Sequence, residues 1–290
     1  MYAPPDDDIE KEMKWLLLIL GEIHQLQKRY SNVIGLAELK GAVAAASEKA
    51  EVDFHKLITL IYGEKGVGKS TAMTRFPKPF VIDFEDRLRT VTDFEGNGIP
   101  SVTCFDWDTA VQYVKALAKT TPAETGIETV CIDGIGTGFK FLRNSILKKY
   151  KVSHENEGEL SYGKGKGLIK DALENWFTAL RTLTRQGYGV VIAAHERSVE
   201  FTNNGVAFDR KVPLVSGDKS EYGWDAIKPF PYIVVHAYKT RGANGPEHRM
   251  HLVGTELYEA MFSKQGVDPS KIADLPFSYA NLKAAWDGNE

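Results

Sequence analysis

Short apolar runs alternate along this chain with longer segments whose apolar residues recur at helical spacing. The runs are rich in β-branched residues and have the length of buried strands, whereas the longer segments have the length of amphipathic helices. The predicted strands cover 57–62, 79–86, 101–105, 128–133, 189–194, 231–239 and 248–253. The predicted helices between them cover 70–75, 108–120, 139–151 and 168–185. This alternation predicts an α/β fold with a doubly wound, mainly parallel sheet.

The segments that flank this alternating region are helical in pattern. Residues 1–50 carry apolar side chains at helical spacing, so we predict an N-terminal helical segment there. A core domain over 51–255 and a C-terminal helical tail over 256–290 complete the predicted organisation. The apolar face of residues 1–50 fits two roles, packing on the core domain or contact between subunits.

One loop between a predicted strand and a predicted helix fits a phosphate-binding pattern. Residues 63–71 match G-x-x-x-x-G-K-[ST], with an apolar strand before the loop and a helix start after it. In such a loop backbone amides converge on phosphate oxygens, and the helix N-terminus adds positive potential. We expect Lys69 to reach the β- and γ-phosphates and Ser70 to bind Mg²⁺. The predicted nucleotide-binding residues are Gly63, Glu64, Lys65, Gly66, Val67, Gly68, Lys69, Ser70 and Thr71.

Acidic and imidazole side chains follow other predicted strands, whose carboxyl ends meet the phosphate loop at one edge of the sheet. Asp133 fits a magnesium ligand beside Ser70, and an aspartate that caps a turn is the alternative. Asp83 and Glu85 both fit a residue that orients the attacking water, the alternative being a solvated strand end. His195 fits a group that senses the γ-phosphate, or else a histidine satisfied within the core or a turn.

Composition restricts the classes of partner and compartment. With a net charge of −3 and 26% charged residues, the 290-residue chain is not a generally basic nucleic-acid coat protein. Cys104 and Cys131 both fall in predicted strands, so we expect reduced core thiols and a cytoplasmic protein. The acidic start is unlike an export signal, and the apolar run 15–20 is too short to span a bilayer. We therefore expect no membrane partner.

Two polar segments after predicted strands combine basic and aromatic residues. The glycine-rich stretch 152–167 carries Lys164 and Lys166 beside Tyr162, and the stretch 196–224 is predicted to be a long loop. The basic residues of interest in the second stretch are Arg197, Arg210 and Lys211. Such groups on flexible backbone suit a phosphate backbone with stacked bases. A solvated loop is the alternative at 152–167, because glutamates dilute its positive charge.

The order of these motifs resembles that of RecA-like P-loop ATPases. The matching residues are the phosphate loop 63–71 and the strands 81–85, 130–133 and 191–196, within a region of about two-thirds of the chain. The chain most closely resembles compact phage-encoded ATPases of the AAA/RecA type that are associated with single-strand annealing and recombination. The resemblance implies a RecA-like P-loop NTPase fold, to which the N-terminal helical segment is an addition.

The resemblance also implies the roles of the residues around the nucleotide. In that family the glutamate after the second strand activates water, which selects Glu85 over Asp83. His195 would report the state of the γ-phosphate, as the polar residue at the end of the corresponding family strand does. Glu85, Lys69 and His195 are thus the implied catalytic residues, and Ser70 with Asp133 would hold the metal.

Further family features lie outside the nucleotide site. The family's two DNA-binding loops correspond to about 152–167 and 197–219 in this chain. RecA-like proteins also reach across a subunit boundary with a basic pair, which Lys239 and Arg241 resemble. This trans finger would stabilise charge on the γ-phosphate of a neighbouring subunit.

The sequence as a whole therefore predicts a Mg²⁺-dependent ATP hydrolase that couples ATP binding and hydrolysis to single-stranded DNA. ATP and Mg²⁺ are the expected cofactors, and single-stranded DNA and further copies of the chain are the expected partners. The expected location is the cytoplasm, that of the host if a phage encodes the chain. Two alternatives remain open, an oligomeric assembly or partner-binding protein gated by nucleotide, and a P-loop kinase.

Overall fold

A computed structural model describes residues 52–88, 91–92, 96–203, 205–216, 222–243 and 245–288. The chain divides into two compact units, Met1–Val52 and Asp53–Glu290. The predicted N-terminal helical segment at 1–50 lies outside the described residues. Its packing or subunit-contact role therefore stays a prediction.

One sheet organises the second unit. The described strands are β1 (Ile58–Gly63), β2 (Pro79–Asp83), β3 (Ser101–Thr103), β4 (Thr129–Asp133), β5 (Gly189–Asn203), β6 (Val206–Leu214), β7 (Ile233–Gly242), β8 (Gly245–His251), β9 (Met261–Phe262) and β10 (Leu275–Pro276). Their order is β10-β8-β7-β1-β5-β4-β2-β3, with β6 paired to β5 and β9 to β7. The strands from β7 to β3 pair in parallel, while the outer pairings are antiparallel. The predicted RecA-like fold with a mainly parallel sheet is confirmed.

Helices cover both faces of this sheet. The described α-helices are α1 (Lys69–Met73), α2 (Trp107–Leu117), α3 (Pro122–Thr125), α4 (Ile135–Tyr150), α5 (Lys164–Arg185), α6 (Tyr222–Ile227), α7 (Pro269–Ile272) and α8 (Tyr279–Asp287), with 3-10 helices at Phe54–Lys56 and Gly158–Leu160. On β1, Leu60 and Tyr62 pack in the cluster that includes α2, α4 and α5, whereas Ile61 packs in the cluster that includes α1 and α8. Alternate residues of a buried strand thus pack into two separate cores, one on each face of the sheet.

Strand register brings the phosphate loop to the centre of the sheet edge. Gly63 ends β1 opposite Ala237 of β7, and a Cβ on Gly63 would lie 1.9 Å from the Ala237 carbonyl oxygen. Only glycine fits such a close approach. On the other side of β1, β5 separates it from β4. The carboxyl ends of β1, β4 and β5 therefore form one continuous rim.

The prediction of a long loop at 196–224 is wrong for most of its length. β5 continues past the sheet to Asn203 and pairs with β6 as an antiparallel hairpin. The register pairs Asn203 with Val206, so two residues connect the strands. Asn-Gly at these positions is a strong signal for a two-residue hairpin turn, and it outweighs the polar composition of the flanking residues.

The glycine-rich stretch 152–167 also contains more regular structure than predicted. α5 begins at Lys164 rather than at residue 168, and a 3-10 helix occupies Gly158–Leu160. At Gly165 a Cβ would lie 2.1 Å from the carbonyl oxygen of Glu155. Glycine at this position therefore lets the first turn of α5 pack directly on the preceding segment.

The predicted helical tail at 256–290 contains strands as well as helices. α7 and α8 lie there, but β9 pairs with β7 and β10 pairs with β8. Leu282 and Trp286 of α8 are buried in the cluster beneath the phosphate-loop helix. The described part of the tail therefore extends the sheet and closes its core.

Two expectations from composition concern the described residues. Cys104 and Cys131 are both buried free thiols, as predicted for core residues. In the part of the chain that the structure covers, no helix has the length and apolar character needed to cross a membrane.

Candidate nucleotide site

A cleft of about 270 Å³ opens at the rim formed by β1, β4 and β5. The side chains that define its chemistry are Lys69, Ser70, Glu85, Asp133 and His195. These residues come from the phosphate loop and from the positions at or just beyond the end of the parallel pairing of β2, β4 and β5. The structure therefore brings together all the residues predicted to bind the metal or to act in catalysis.

Lys69 lies at the start of α1 and is buried against the phosphate loop. Its Nζ donates hydrogen bonds to the carbonyl oxygens of Gly63 and Glu64, each at 2.9 Å. Burial lowers the pKa of Lys69, while the carboxylates of Asp133 and Glu85 act in the opposite direction. These bonds use two of the three N–H donors of the ammonium, which leaves one for a bound phosphate.

Ser70 and Asp133 form the oxygen-ligand pair of the cleft. The Ser70 hydroxyl donates to Asp133 Oδ2 at 2.7 Å. Burial raises the pKa of Asp133 to about 6, with the Ser70 hydrogen bond opposing and the nearby carboxylates of Asp83 and Glu85 reinforcing the shift. A divalent cation would offset this local excess of negative charge.

The donor set of the cleft fits Mg²⁺ that is shared with a nucleotide. Hydroxyl and carboxylate oxygens are the ligands that Mg²⁺ prefers, and it usually binds through one or two carboxylates plus substrate phosphates. Within the described residues, no group of three or more His, Cys, Asp or Glu side chains is placed to hold a metal ion. Ser70 and Asp133 would therefore hold the ion together with phosphate oxygens.

Asp83 shapes the turn after β2 and does not line the cleft. Its carboxylate accepts hydrogen bonds from the backbone amides of Glu85 at 2.8 Å, Asp86 at 3.0 Å, Arg87 at 3.0 Å and Leu88 at 3.3 Å. β2 ends at Asp83, so Asp83 and Glu85 do not share a strand face as a strand over 79–86 would require. The buried Asp83 carboxylate is fully engaged in holding Glu85 in place.

Glu85 lies in the cleft between His195 and Arg87. Its Oε1 lies 3.1 Å from His195 Nε2, and its Oε2 lies 3.5 Å from the guanidinium of Arg87. The hydrogen bond from His195 is the main cause that lowers the pKa of Glu85, and burial opposes it. A Cβ on Gly134 would lie 2.4 Å from Glu85 Cγ, so the start of α4 also packs against this side chain.

Sequence reasoning missed Arg87, although it stands two residues after Glu85 in the turn that Asp83 organises. It also missed His248 of β8, whose Nδ1 lies 2.9 Å from the carbonyl oxygen of Val67. No pattern in the sequence links a residue of the last hairpin to the phosphate loop. Only the pairing of β7 with β1 brings that hairpin to the site.

The predicted trans-finger residues lie on β7, beside the phosphate loop of their own chain. Lys239 Nζ donates to the carbonyl oxygen of Lys65 at 3.3 Å. Arg241 is exposed further along the same strand. The structure therefore places Lys239, but not Arg241, in contact with the nucleotide-binding loop.

The predicted DNA-binding residues fall on two elements outside the cleft lining. Lys164 and Lys166 lie in the first turn of α5, while Arg197, Arg210 and Lys211 lie on the β5–β6 hairpin. Some of these residues form ion pairs with carboxylates: Lys166 with Glu155 at 3.9 Å, Arg210 with Glu259 at 3.4 Å, and Lys211 with Glu196 at 3.1 Å.

Comparison with known proteins agrees with this geometry. An AAA domain matches residues 55–222, which is more than half of the 290-residue chain. The chain is also 26% identical over 141 residues to the SPbeta prophage-derived uncharacterized protein YorG of Bacillus subtilis strain 168. That match covers 48% of this chain and only 41% of the prophage protein. The AAA match contains the whole cleft, from the phosphate loop to His195, and the chain therefore belongs to the AAA domain family of nucleotide-binding P-loop ATPases.

Proposed function

We propose that this protein is a Mg²⁺-dependent ATP hydrolase that couples ATP binding and hydrolysis to single-stranded DNA in phage-type recombination or annealing. The observation that carries the proposal is the course of β5. This strand presents His195 to the nucleotide cleft and continues without interruption into the projecting hairpin with β6. The prophage relative supports a phage origin, and thus action in the host cytoplasm.

The cleft supplies the parts that hydrolysis of ATP requires. Lys69 and the loop amides neutralise the phosphates, and Ser70 and Asp133 hold Mg²⁺, which stabilises negative charge on the phosphoryl oxygens when bound. Glu85 is ionised beside His195 and accepts a hydrogen bond from the attacking water. Catalysis of phosphoryl transfer depends mainly on positioning and on stabilisation of charge, so this set of groups can account for ATP hydrolysis.

The hairpin offers a binding surface for a nucleic-acid base. Phe201 is 41% exposed, although its ring lies 5.4 Å from that of Phe208. The guanidinium of Arg210 lies 5.3 Å from the Phe201 ring centre, a cation–π arrangement. An exposed aromatic ring beside a cation is the usual platform for a stacked base.

A second basic surface at the start of α5 suits the phosphate backbone. Tyr162 is fully exposed there and precedes Lys164 and Lys166. Lys140 and Arg143 of α4 line a neighbouring pocket of about 400 Å³. The Arg143 guanidinium pairs with Glu155 at 2.7 Å, so the net positive charge of this surface is reduced. We expect binding that is moderate in strength and that weakens as salt rises.

The first experiment measures the rate of ATP hydrolysis with and without single-stranded DNA, using Lys69→Ala as the blank. We expect DNA to raise the rate several-fold, because DNA bound to the hairpin would affect the position of His195 on the same strand. We expect both rates to vanish in the variant. Hydrolysis that is indifferent to DNA would overturn the coupling. That result would favour a nucleotide-gated assembly or a kinase instead.

Phe201→Ala tests the hairpin as the DNA-binding element. We expect the dissociation constant for fluorescent oligo-dT to rise roughly tenfold, since base stacking on an aromatic is worth about 1–3 kcal/mol. Anisotropy titration measures this change at fixed salt. Phe105→Ala is the matched control, because Phe105 is 70% exposed but lies beyond β3 at the far edge of the sheet. Equal losses in the two variants would contradict a specific role for the hairpin.

A further inference from the structure

Two residues that face each other across the β7–β8 hairpin contact the phosphate loop from outside. Lys239 and His248 are partners in the strand register. Lys239 Nζ donates to the carbonyl oxygen of Lys65 at 3.3 Å, and His248 Nδ1 lies 2.9 Å from the carbonyl oxygen of Val67. Because a carbonyl oxygen only accepts hydrogen bonds, His248 must carry its proton on Nδ1.

These contacts complement the ones that Lys69 makes. Lys69 holds the carbonyls of Gly63 and Glu64, while the hairpin holds those of Lys65 and Val67. A bound phosphate would compete with these carbonyls for the N–H donors of the Lys69 ammonium. The two contacts from the hairpin do not involve that ammonium, so we expect them to remain when the nucleotide binds.

The hairpin is itself fixed against the loop. The backbone amide of Phe277 donates to the His248 carbonyl oxygen at 2.8 Å. A Cβ on Gly68 would lie 3.6 Å from His248 Nδ1 and 4.0 Å from the Phe277 ring. Among the described residues that line the cleft, neither Lys239 nor His248 appears. Both side chains therefore contact the loop backbone from outside the cleft lining.

We propose that Lys239 and His248 form a clamp in cis that holds the phosphate loop in its binding conformation. They are positioning residues of the chain's own nucleotide site, an inference that rests on the ATP binding proposed above. This role departs from the trans finger implied by resemblance, because the Lys239 ammonium is already engaged with its own chain. Arg241 makes no hydrogen bond or ion pair with any described residue, so of the predicted pair Arg241 is the one left for a contact with a neighbouring subunit.

The clamp predicts a measurable change in the protein without nucleotide. In Lys239→Met and in His248→Phe, amide hydrogen exchange of the segment 63–70 should become faster than in the wild type. Lys115→Met is the control, since it removes one charge from an exposed position on α2. Unchanged exchange in both clamp variants would overturn the proposal. This readout does not require ATP, so it remains informative if the proposed ATPase function fails.

The clamp also predicts weaker ATP binding by each variant's own subunit. A lost hydrogen bond to a charged group at an exposed site should raise the ATP dissociation constant about three- to tenfold in Lys239→Met, at every protein concentration. Mixing Lys239→Met with Lys69→Ala distinguishes cis from trans action. A cis clamp gives no more hydrolysis than the sum of the separate proteins. Activity above that sum would show that one subunit supplies Lys239 to another, and would overturn the proposal.

Discussion

Replacing Glu85 with glutamine is expected to lower kcat for ATP hydrolysis by about 10²- to 10⁴-fold. Glutamine keeps the shape of the side chain and can still hydrogen-bond His195, which lies 3.1 Å from Glu85 Oε1. Glutamine cannot take a proton from water, however. The glutamate is available to do so, because the hydrogen bond from His195 lowers the pKa of Glu85 and keeps it ionised. Single-turnover hydrolysis and an ATP titration on the same protein would separate the lost chemistry from binding, which should change little.

Asp83→Asn is the informative companion to this variant. Asp83 accepts hydrogen bonds from backbone amides throughout the turn that carries Glu85 and Arg87. Its replacement should therefore lower the free energy of unfolding by about 1–3 kcal/mol, as expected for charged hydrogen bonds. Thermal unfolding would measure this effect. If Asp83→Asn kept its stability and lost hydrolysis while Glu85→Gln stayed active, the assigned roles would be reversed.

The contrast between Asp83 and Glu85 shows where sequence reasoning ends. Both carboxylates follow an apolar strand, and the pattern alone left both available for catalysis. The choice depends on where β2 ends, because the chain turns at Asp83 and its amides then surround that carboxylate. Such local backbone geometry has no periodic signal. The resemblance to RecA-like ATPases selected Glu85, and the geometry gives a physical reason for the same choice.

The parallel core was predictable because its strands are buried on both faces. Runs such as Leu60 to Tyr62 must be continuously apolar when neighbouring residues enter different cores. The β5–β6 hairpin extends beyond that core, and charged and polar residues interrupt both of its strands, so the sequence showed no such apolar run there. The sequence signal for this hairpin was instead the Asn-Gly pair between its two strands. The contact of Lys239 with Lys65 was unpredictable for another reason, since it joins residues far apart in sequence through the pairing of β7 with β1.

Replacing Asp133 with asparagine is expected to stabilise the nucleotide-free protein above pH 7 while abolishing hydrolysis. Burial raises the pKa of Asp133 from 3.8 to about 6, so the ionised carboxylate is unfavourable in the folded state. A shift of this size corresponds to about 3 kcal/mol. For a protein of this length that predicts a Tm increase of roughly 5–10 °C. Asparagine still accepts the hydrogen bond from Ser70, which the aspartate accepts at 2.7 Å.

The pH dependence of the stability difference between Asp133→Asn and the wild type tests whether the buried carboxylate causes it. Between about pH 4 and pH 6 the Asp133 carboxyl is protonated in a larger fraction of folded than of unfolded molecules, so its contribution to the stability of the wild type falls as the pH rises. The advantage of asparagine should therefore appear within that window and vanish near pH 4. Asp171→Asn, at an exposed position on α5, is the control and should shift the free energy of unfolding by less than about 0.5 kcal/mol. A lower Tm for Asp133→Asn at pH 8 would contradict the prediction.

Adding Mg²⁺ and ATP should reverse the order of thermal stability of the wild type and Asp133→Asn. A divalent cation beside Asp133 supplies the positive charge that the buried, ionised carboxylate lacks, so the wild type should gain stability on adding Mg²⁺ and ATP. Asparagine carries no charge for the ion to neutralise, and its Tm should rise much less. The burial that destabilises the empty site is then the same feature that makes the filled site favourable. Equal gains in Tm for both proteins would show that Asp133 is not a ligand of the metal.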